Sequence, residues 1–362
     1  MKHGDFYISI ILFVLTFTFT ACHENQSQTS PTIPKPGKRN YSWSIDTLSY
    51  PTNFQTMMVS IWGTSPNDLY AVGLSDQNTG TMYYYDGVHW KPIKLTSVEG
   101  GPINAIVGLA QVFGFNSDDI WVVGNEEIYD AVTSKSTYVS LILHWKFGQW
   151  SKASITLGKP LKSVWGNMPD NVWASGEGGT LYHFNGIDWF KIPIDSSVSL
   201  GRLYGFSSSD IYCTGAKSVD KVPLYDSTEY ILYHYNGNNW SPIDSFLFYN
   251  GSFGDKFGFA DIWGPNNSTL YTIGRGIFLR NGNSWINTFA SPYLYSSIYG
   301  TGADNIFAVG PYNSVVQFNG IDWYQFNSIL NSSIFASDVW CNEAEVFVVS
   351  NDGRNTFVFH GR

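Results

Sequence analysis

Charge, cysteine and long apolar runs are all scarce in this chain of 362 residues. Only 14% of the residues are charged, the 20 Lys and Arg are scattered, and the formal net charge is −9. Nucleic-acid-binding proteins neutralise phosphates with clustered basic residues, so the sequence argues against that class. Three cysteines and no zinc-type Cys/His spacing indicate neither a disulfide scaffold nor a structural metal. We expect no cofactor and no metal ion.

Aromatic residues and glycines, in contrast, are abundant in the chain. Aromatics make up 17% of the sequence, hydrophobic residues make up 43%, and there are 35 glycines. This composition is typical of short β-strands joined by tight turns. All-β barrels and propellers often use more than about 250 residues as one domain, so a single all-β domain is expected.

The first residues predict a targeting segment. An apolar run, Ile8–Phe19, follows Lys2 and is shorter than the roughly 20 residues of a bilayer span, so it fits the core of a signal peptide better. It leads into Thr20-Ala21-Cys22, which resembles the lipobox of bacterial lipoproteins. The resemblance implies that residues 1–21 are a signal peptide and that the Cys22 thiol is lipidated. The alternative is an ordinary signal peptide followed by an incidental cysteine.

Residues 22–40 are predicted to be a disordered tether that begins at the lipidated cysteine. The segment after Cys22 is polar, with Pro31, Pro34 and Pro36 and almost no apolar residue, so it cannot bury a core. A lipid and a tether together predict an outer-membrane lipoprotein of the cell envelope, either periplasmic or surface-exposed. The membrane contact would be made through the lipid.

The central observation is an internal repeat. The first copy begins with an aromatic-Gly pair, Trp62-Gly63, and an acidic residue before an aliphatic-aromatic pair, Asp68-Leu69-Tyr70. It continues with Val72-Gly73, the hairpin pair Asp86-Gly87 and Trp90. Six further copies begin at Phe113, Trp165, Tyr204, Trp263, Tyr299 and Trp340. The copies recur about every 46 residues, the size of a propeller blade of four antiparallel strands, a to d.

The two ends of the chain predict how the ring closes. The seventh copy stops at Arg362, just after its strand c, whereas Tyr41–Asp46 resembles an isolated strand d. Pairing these two segments would remove the free edges of an open sheet. Residues 41–362 are therefore predicted to form a seven-bladed β-propeller whose last blade is completed by an N-terminal strand.

The repeats resemble bacterial propeller repeats with a W-G-x-S-x-x-D-[VIL]-[WYF]-A-V-G signature, found in secreted proteins of Gram-negative bacteria and sometimes labelled glucosyltransferases. The resemblance covers nearly all of residues 41–362 and implies the fold, but it supplies no catalytic residues. A weaker likeness to sialidase Asp-box propellers rests on the recurring Gly-x-x-Trp. The Ser-x-Asp part of that box is missing, and six arginines are few for an enzyme class that needs an arginine triad.

Residues that recur in every blade are interpreted as framework. The 14 tryptophans occupy repeat positions and are expected to pack between blades. His144, His183 and His234 share one strand c position, too far apart around a ring to hold one metal. Asp68, Asp119 and Asp210 precede strand b and are predicted to cap the a–b turns. Cys213 and Cys341 fall in strands of distant blades, so we expect buried free thiols.

Binding residues are expected where the repeats differ. The a–b and c–d turns are short and share one face, whereas the long b–c and d–a insertions, at 124–141, 215–231, 90–113 and 240–263, all fall on the other face. Loops on a rigid scaffold commonly carry function. The candidate ligand residues are Glu126, Glu127, Tyr129, Asp130, Asp220, Tyr225, Asp226, Phe253 and Asp255. Their mixture of aromatics and carboxylates suits protein or glycan contact. Carboxylate oxygens are also ligands of Ca²⁺, but no ordered ligand spacing is present, so Ca²⁺ is kept only as an alternative.

The sequence thus predicts a monomeric envelope lipoprotein that binds or scaffolds a protein or glycan without catalysis. One alternative is a glycan-processing enzyme of glycosidase or lyase type, and another is an assembly factor for an envelope complex. Two carboxylates from different blades, about 5 to 10 Å apart in a loop-face pocket, would favour the enzyme.

Overall fold

A computed structural model of the chain describes residues 37–219, 227–249 and 255–362. The predicted signal peptide, Cys22 and most of the tether lie outside these ranges, as do the candidate residues Asp220, Tyr225, Asp226 and Phe253. No helix within the described ranges has the length and apolar character needed to cross a membrane. The helical structure there consists of the short 3₁₀ turns Ser97–Glu99 and Asn327–Ile329.

The strands form seven antiparallel sheets of four strands each. Blades 1 and 2 consist of β2 (Thr56–Ser65), β3 (Asp68–Ser75), β4 (Met82–Tyr85) and β5 (Trp90–Pro92), and of β6 (Ile106–Asn116), β7 (Asp119–Asp130), β8 (Lys135–Lys146) and β9 (Gln149–Lys152). Blades 3 and 4 consist of β10 (Leu161–Met168), β11 (Asn171–Gly176), β12 (Leu181–Phe184) and β13 (Trp189–Lys191), and of β14 (Ser199–Ser207), β15 (Asp210–Val219), β16 (Ser227–Tyr235) and β17 (Trp240–Tyr249).

The remaining three sheets complete the ring. Blades 5 and 6 consist of β18 (Asp261–Asn266), β19 (Thr269–Gly274), β20 (Gly276–Asn281) and β21 (Ser284–Ala290), and of β22 (Ser297–Gly302), β23 (Asn305–Gly310), β24 (Ser314–Phe318) and β25 (Trp323–Gln325). Blade 7 consists of β26 (Phe335–Cys341), β27 (Val346–Asn351) and β28 (Thr356–Gly361), joined by β1 (Trp43–Leu48). The prediction of a seven-bladed propeller with four strands per blade is confirmed.

The closure of the ring follows the sequence prediction. Strand β1 pairs antiparallel with β28, from Trp43 opposite Gly361 to Leu48 opposite Thr356. The N-terminal strand thereby becomes the outer strand of a sheet with the order β1-β28-β27-β26. Trp43 packs against Phe326, with 5.6 Å between the ring centroids.

The Asn-Gly pairs form the c–d turns for a local chemical reason. In blade 3 the Asn185 side-chain oxygen accepts hydrogen bonds from the backbone N–H groups of Ile187 and Asp188, each 3.0 Å long. The intervening Gly186 adopts a φ of 91°, in the left-handed region that favours glycine. The sequence pair therefore supplies both the hydrogen-bond acceptor and the conformational freedom that the turn requires.

The recurring aromatic and histidine residues are framework, as predicted. In blades 3, 4 and 6 the strand d Trp packs on the strand b aromatic of the preceding blade, for example Trp189 on Trp121 at 5.4 Å between ring centroids. In blade 2 the His144 ring stacks on Trp121 at 3.5 Å. Burial lowers the pKa of His144 from its ordinary value, although Asp119 opposes the effect.

The predicted turn-capping role of Asp119 and Asp210 is wrong. Their carboxylates instead contact the strand c histidines, with 2.8 Å from Asp119 to His144 Nε2 and the same from Asp210 to His234 Nε2. The a–b turn of blade 2 is capped by Asn116, whose side-chain oxygen accepts the Asp118 N–H at 2.8 Å. In blades 2, 4 and 7 the acidic residue therefore contacts the strand c histidine that packs on the strand b aromatic.

A belt of polar side chains surrounds the central channel. Two residues before the aromatic of each strand a, every blade carries a polar residue: Ser60, Gln111, Ser163, Arg202, Asp261, Ser297 and Asp338. At five of the seven junctions this side chain accepts a hydrogen bond from a backbone N–H of the next blade. The channel itself is narrow, with a cavity of about 130 Å³.

The belt continues across the junction between blades 7 and 1. Its hydrogen bonds differ at Arg202, where a donor side chain replaces an acceptor. Asp338 of blade 7 accepts the Ile61 N–H of blade 1 at 2.9 Å. Arg202 cannot accept a hydrogen bond, and it lies 3.8 Å from Asp261, which accepts the N–H of its own neighbour Ile262 at 2.8 Å. Burial raises the pKa of Asp261. These buried charges therefore serve inter-blade bonding.

The two cysteines in the ring are buried and free, as predicted. Burial raises the pKa of the Cys213 thiol to about 12, and it also raises the pKa of Cys341. Because the thiolate is the reactive form, both groups are chemically quiet in the folded protein.

Candidate functional site

The long b–c insertions of blades 2 and 4 are β-hairpins, not loops. In blade 2 the strands continue to Asp130 and resume at Lys135, so residues 131–134 are the only connection. In blade 4 strand β15 continues to Val219 and β16 begins at Ser227. The sequence had indicated loops at these positions. The strands extend because the two arms of each insertion pair with each other above the ring, which satisfies their backbone groups.

A groove lies between the blade 2 hairpin and the b–c connection of blade 1. We call it the blade 1–2 groove; its volume is about 600 Å³, and its lining includes Leu74–Asn78, Val98, Ile106–Gly108, Glu127 and Tyr138. Val98, Ile106 and Tyr138 are 66%, 54% and 51% exposed. Apolar side chains that share one exposed surface often mark a binding site.

The floor of the groove is held rigidly by Asn78. Its side-chain amide donates to the Ala105 carbonyl at 2.9 Å and its side-chain oxygen accepts the Val107 N–H at 2.9 Å. Its own carbonyl accepts the Thr96 hydroxyl at 2.9 Å. Asn78 has a φ of 56°, which Asn tolerates better than most residues. One residue thus links the blade 1 b–c connection, the blade 1 d–a connection and strand β6.

Two carboxylates give the groove a negative character. Asp76 of blade 1 accepts the Gln55 N–H at 3.1 Å, and this bond is the main cause of the lowered pKa of its carboxyl. Glu127 of blade 2 accepts a hydrogen bond from the Ser136 hydroxyl. Within the described ranges neither carboxylate forms an ion pair with a Lys, Arg or His. The groove is therefore suited to a ligand that combines apolar and cationic groups.

The structure separates the predicted site residues into two kinds. Tyr129 is exposed and points to the same face of the hairpin as Glu127, two residues away along β7. Asp130 lies at the hairpin tip, where it accepts the Thr133 hydroxyl at 2.7 Å, a contact that lowers its pKa. Glu127 and Tyr129 are therefore available to a ligand at or beside the groove.

The other two described candidates have framework contacts. Glu126 is buried and forms an ion pair with Lys152 at 2.6 Å. Asp255 in blade 5 has a fully buried side chain that accepts the Arg275 N–H at 2.9 Å. Within the described ranges, no hydrogen bond or ion pair joins Asp255 to the blade 2 candidates.

The sequence analysis missed the blade 1 half of the groove. Leu74 and Asp76 lie outside the four long insertions. Val98 and Ile106 lie inside the insertion at 90–113, from which no candidate residue was chosen. The sequence held a usable signal, because the d–a segment before Ile106 is unusually long. This segment contains Val98, which is exposed in the structure. Sequence spacing could not show that this segment faces Glu127.

A second cavity between blades 1 and 2 lies nearer the rim and has a volume of about 460 Å³. Its walls include Tyr70, Tyr84, Trp145 and Trp150, which are repeat positions of the blade framework. We favour the groove because its lining does not repeat around the ring. Across 37–219, 227–249 and 255–362, no three His, Cys, Asp or Glu side chains cluster as a metal site would require.

Comparisons with known proteins show the fold. Neither the family models nor the curated proteins include a match to this sequence. Among solved structures, the chain is similar to "YCF48 bound to D1 peptide", with a TM-score of 0.59 and 13% identity over 90% of this chain and 98% of that one. It is also similar to the WD40 β-propeller domain of Doa1, with a TM-score of 0.56 and 12% identity over 88% and 97%.

A third similar structure comes from a bacterium. It is the extracellular domain of a putative hybrid two-component system, BT4673, from B. thetaiotaomicron, with a TM-score of 0.56 and 12% identity over 87% of this chain and 40% of that one. At these identities the likeness establishes a propeller and no more.

Proposed function

We propose that this protein is a lipid-anchored, non-catalytic propeller of the cell envelope that binds a segment of a partner protein in the blade 1–2 groove. The observation that carries the proposal is the groove itself: exposed Val98, Ile106 and Tyr138 surround two carboxylates that have no cationic partner among the described residues. None of these residues is needed by the repeating framework. Binding is the simplest use for such a surface.

The entry point of the chain supports an anchor on the opposite face. The Gly37 N–H donates to the Asn319 carbonyl in a c–d turn at 3.1 Å, and Arg39 forms an ion pair with Asp322 in the same turn at 2.8 Å. Lys38 donates to the Ala344 carbonyl in an a–b turn at 3.1 Å. The described chain therefore begins at the face of the a–b and c–d turns, opposite the groove face.

The structural neighbours support a protein ligand over a glycan. The similar propeller YCF48 was solved with a peptide bound. The likeness extends along 90% of this chain, so the same architecture is able to present a peptide-binding surface. The choice of the groove, in contrast, rests on the residues of this chain alone.

The glycosidase alternative is less well supported. Asp76 and Glu127 come from different blades and line the same groove. A glycosidase also needs a carboxyl whose pKa is raised, so that it can donate a proton. Asp76 is exposed and its pKa is lowered by backbone N–H groups, so this carboxyl stays ionised. Asp76 therefore suits the binding of a cation better than proton transfer.

Site-specific crosslinking in cells tests the site. A photo-reactive amino acid placed at position 98 or 106 should yield a crosslink to a discrete protein. The same group at Ile187 or Ile321, exposed apolar residues in c–d turns on the opposite face, should not. Crosslinks of equal yield from both faces would refute the groove, and a glycan adduct without any protein adduct would refute the protein ligand.

A separate experiment tests the anchor. Cys22→Ser should abolish palmitate labelling and shift the protein from membranes to soluble fractions, or leave it unprocessed. Labelling that persists in Cys22→Ser would refute the lipoprotein assignment while leaving the groove proposal intact.

A further inference from the structure

The blade 2 hairpin presents an open strand edge beside the groove. Strand β8 pairs with β7 from Lys135 to Trp145, but it pairs with β9 only from Leu143 to Lys146. Beyond that point, Ser140 donates to the Gly158 carbonyl at 3.1 Å and the Ile142 carbonyl accepts the Ala153 N–H at 2.9 Å. On the outer side of residues 135–139, no backbone partner lies within the described part of the chain.

Strand geometry identifies which groups face outward. The backbone N–H and C=O of one residue point to the same side of an antiparallel strand, and the side alternates with each residue. Because Ser140 and Ile142 use their outward groups, those of Ser136 and Tyr138 also point outward. The backbone N–H and C=O groups of these two residues therefore give the edge two donors and two acceptors, spaced as in a β-strand.

Blade 4 shows what would complete this edge. Its strand β16 belongs to a similar hairpin, but β17 continues beside it and pairs from Trp240 opposite Tyr235 to Tyr249 opposite Ser227. The outer edge of that hairpin is thus covered by the chain itself. In blade 2 the strand d, β9, has four residues and ends before reaching the same height. The uncovered segment has the dimensions of the outer half of β17.

The usual protections of an edge strand are weak here. Natural edges are commonly blunted by several charges, prolines or bulges. Residues 135–139 read Lys-Ser-Thr-Tyr-Val, with one charge at the tip and three residues that favour strands. The register with β7 has no irregularity along this segment. The edge is therefore regular enough to template a further strand.

The charges beside the edge indicate the kind of segment it would accept. Asp76 and Glu127, which lack cationic partners in the described ranges, lie with Tyr138 on the groove side of the hairpin. A strand added to β8 would direct alternate side chains to that side. Basic side chains at those positions would meet the carboxylates, and apolar ones would meet Tyr138.

We propose that the outer edge of β8 at Ser136 and Tyr138 captures an extended, basic segment of a partner protein as an added β-strand. This inference rests on the proposed function and specifies its binding mode. Backbone hydrogen bonds would supply affinity, and the groove would select alternate side chains.

The test uses linear peptides selected from a phage-displayed library on the purified full chain. Ser136→Pro removes an outward N–H without removing a bond to β7, and Ser136→Ala controls for loss of the hydroxyl contact with Glu127. The selected peptides should be enriched in Lys or Arg, and Ser136→Pro should weaken their binding about tenfold or more, while Ser136→Ala changes it less than about twofold.

The outcomes separate the edge from the groove. If Tyr138→Ala and Ile106→Ser weaken binding but Ser136→Pro does not, the groove proposal survives and the edge proposal fails. If no peptide is selected, the edge proposal fails. A dimer of the peptide-free chain in sedimentation, dissociated by Ser136→Pro, would assign the edge to a second copy and would also overturn the proposal.

Hydrogen exchange keeps the test decisive if Ser136→Pro does not fold. In the wild-type chain, bound peptide should slow exchange of the Ser136 and Tyr138 amides by about tenfold or more. Unchanged exchange of these two amides at saturating peptide would refute strand addition.

Discussion

Blades 2 and 4 carry similar hairpins, but the surroundings of the two hairpins differ. In blade 4 the hairpin is covered by the long strand β17 and supports an aromatic cluster, in which Tyr230 stacks on Phe259 at 3.7 Å between centroids. In blade 2 the hairpin lies beside a groove, Tyr138 is exposed, and no strand in the described part of the chain pairs with the outer edge. The difference lies in what surrounds the hairpin, since the blade framework beneath is the same. One insertion extends the core, and the other presents a surface.

The largest contrast is expected in stability. Phe257 is fully buried beside the blade 4 hairpin and packs on Phe246 at 5.0 Å between centroids. Phe257→Ala should destabilise the protein by about 3–5 kcal/mol, because it leaves a cavity. Tyr138→Ala on the blade 2 hairpin should change stability by less than about 0.5 kcal/mol. Urea denaturation of both variants measures this, and equal losses would show that the blade 2 hairpin is also core.

Amide exchange should distinguish the two edges in the unmodified protein. Every residue of β16 has a paired strand on each side, so the Tyr230 and Ile231 amides should be protected. The Ser136 and Tyr138 amides face outward and should exchange about 100-fold faster or more, since no opening of structure is needed. Residue-resolved hydrogen exchange by NMR measures the ratio. Similar protection of all four amides would mean that the β8 edge is already covered.

Substitutions at the base of the blade 2 hairpin are expected to change the stability of the protein and not partner binding. Lys152→Met leaves the buried Glu126 carboxylate without its cation, which should cost about 1–3 kcal/mol. Adding Glu126→Gln should recover most of that loss because the unpaired charge is removed. Partner binding should be unaffected in the double variant if it folds normally. A loss of binding with normal stability would instead restore Glu126 as a ligand contact.

The smallest effect concerns pH. Burial lowers the pKa of His144 below its ordinary value of 6.5, so the unfolded chain binds a proton more readily than the folded chain. Stability should therefore fall as the pH drops below about 6.5. His144→Gln copies the residue at the same position of blade 6, Gln317, which donates to Asn305 at 3.0 Å. Melting temperatures measured from neutral to mildly acidic pH should decline less steeply in this variant than in the wild type.

The sequence predicted the ring well because its signals are local and repeated. Asn185-Gly186 defines a turn through its own side chain and its own φ, and the same chemistry recurs in other blades. The closing strand at Trp43 could be predicted because the last repeat lacked one. These features depend on neighbours a few residues away, or on a repeat that can be counted.

The site was less predictable because its partners are distant in sequence. Residues 124–130 alternate without a clear apolar face, since the hairpin projects from the ring, and the sequence therefore read as a loop. Glu126 and Glu127 look alike in sequence, yet one is buried against Lys152 and the other lines the groove. The contact between Asp119 and His144 spans 25 positions and was missed for the same reason.

The closing strand has a mechanical consequence. Strand β1 starts at the face where Gly37 meets the Asn319 turn, and it runs toward the groove face through six register pairs with β28. If an anchor pulls on one face and a bound partner pulls on the other, the load acts along the axis of β1. The hydrogen bonds to β28 then share the force in shear, and they do not open one after another from an end. Such resistance is a matter of unfolding rate and not of equilibrium stability. The hydrogen-bonded closure between β1 and β28 would therefore be loaded in shear, the direction in which its bonds resist tension together.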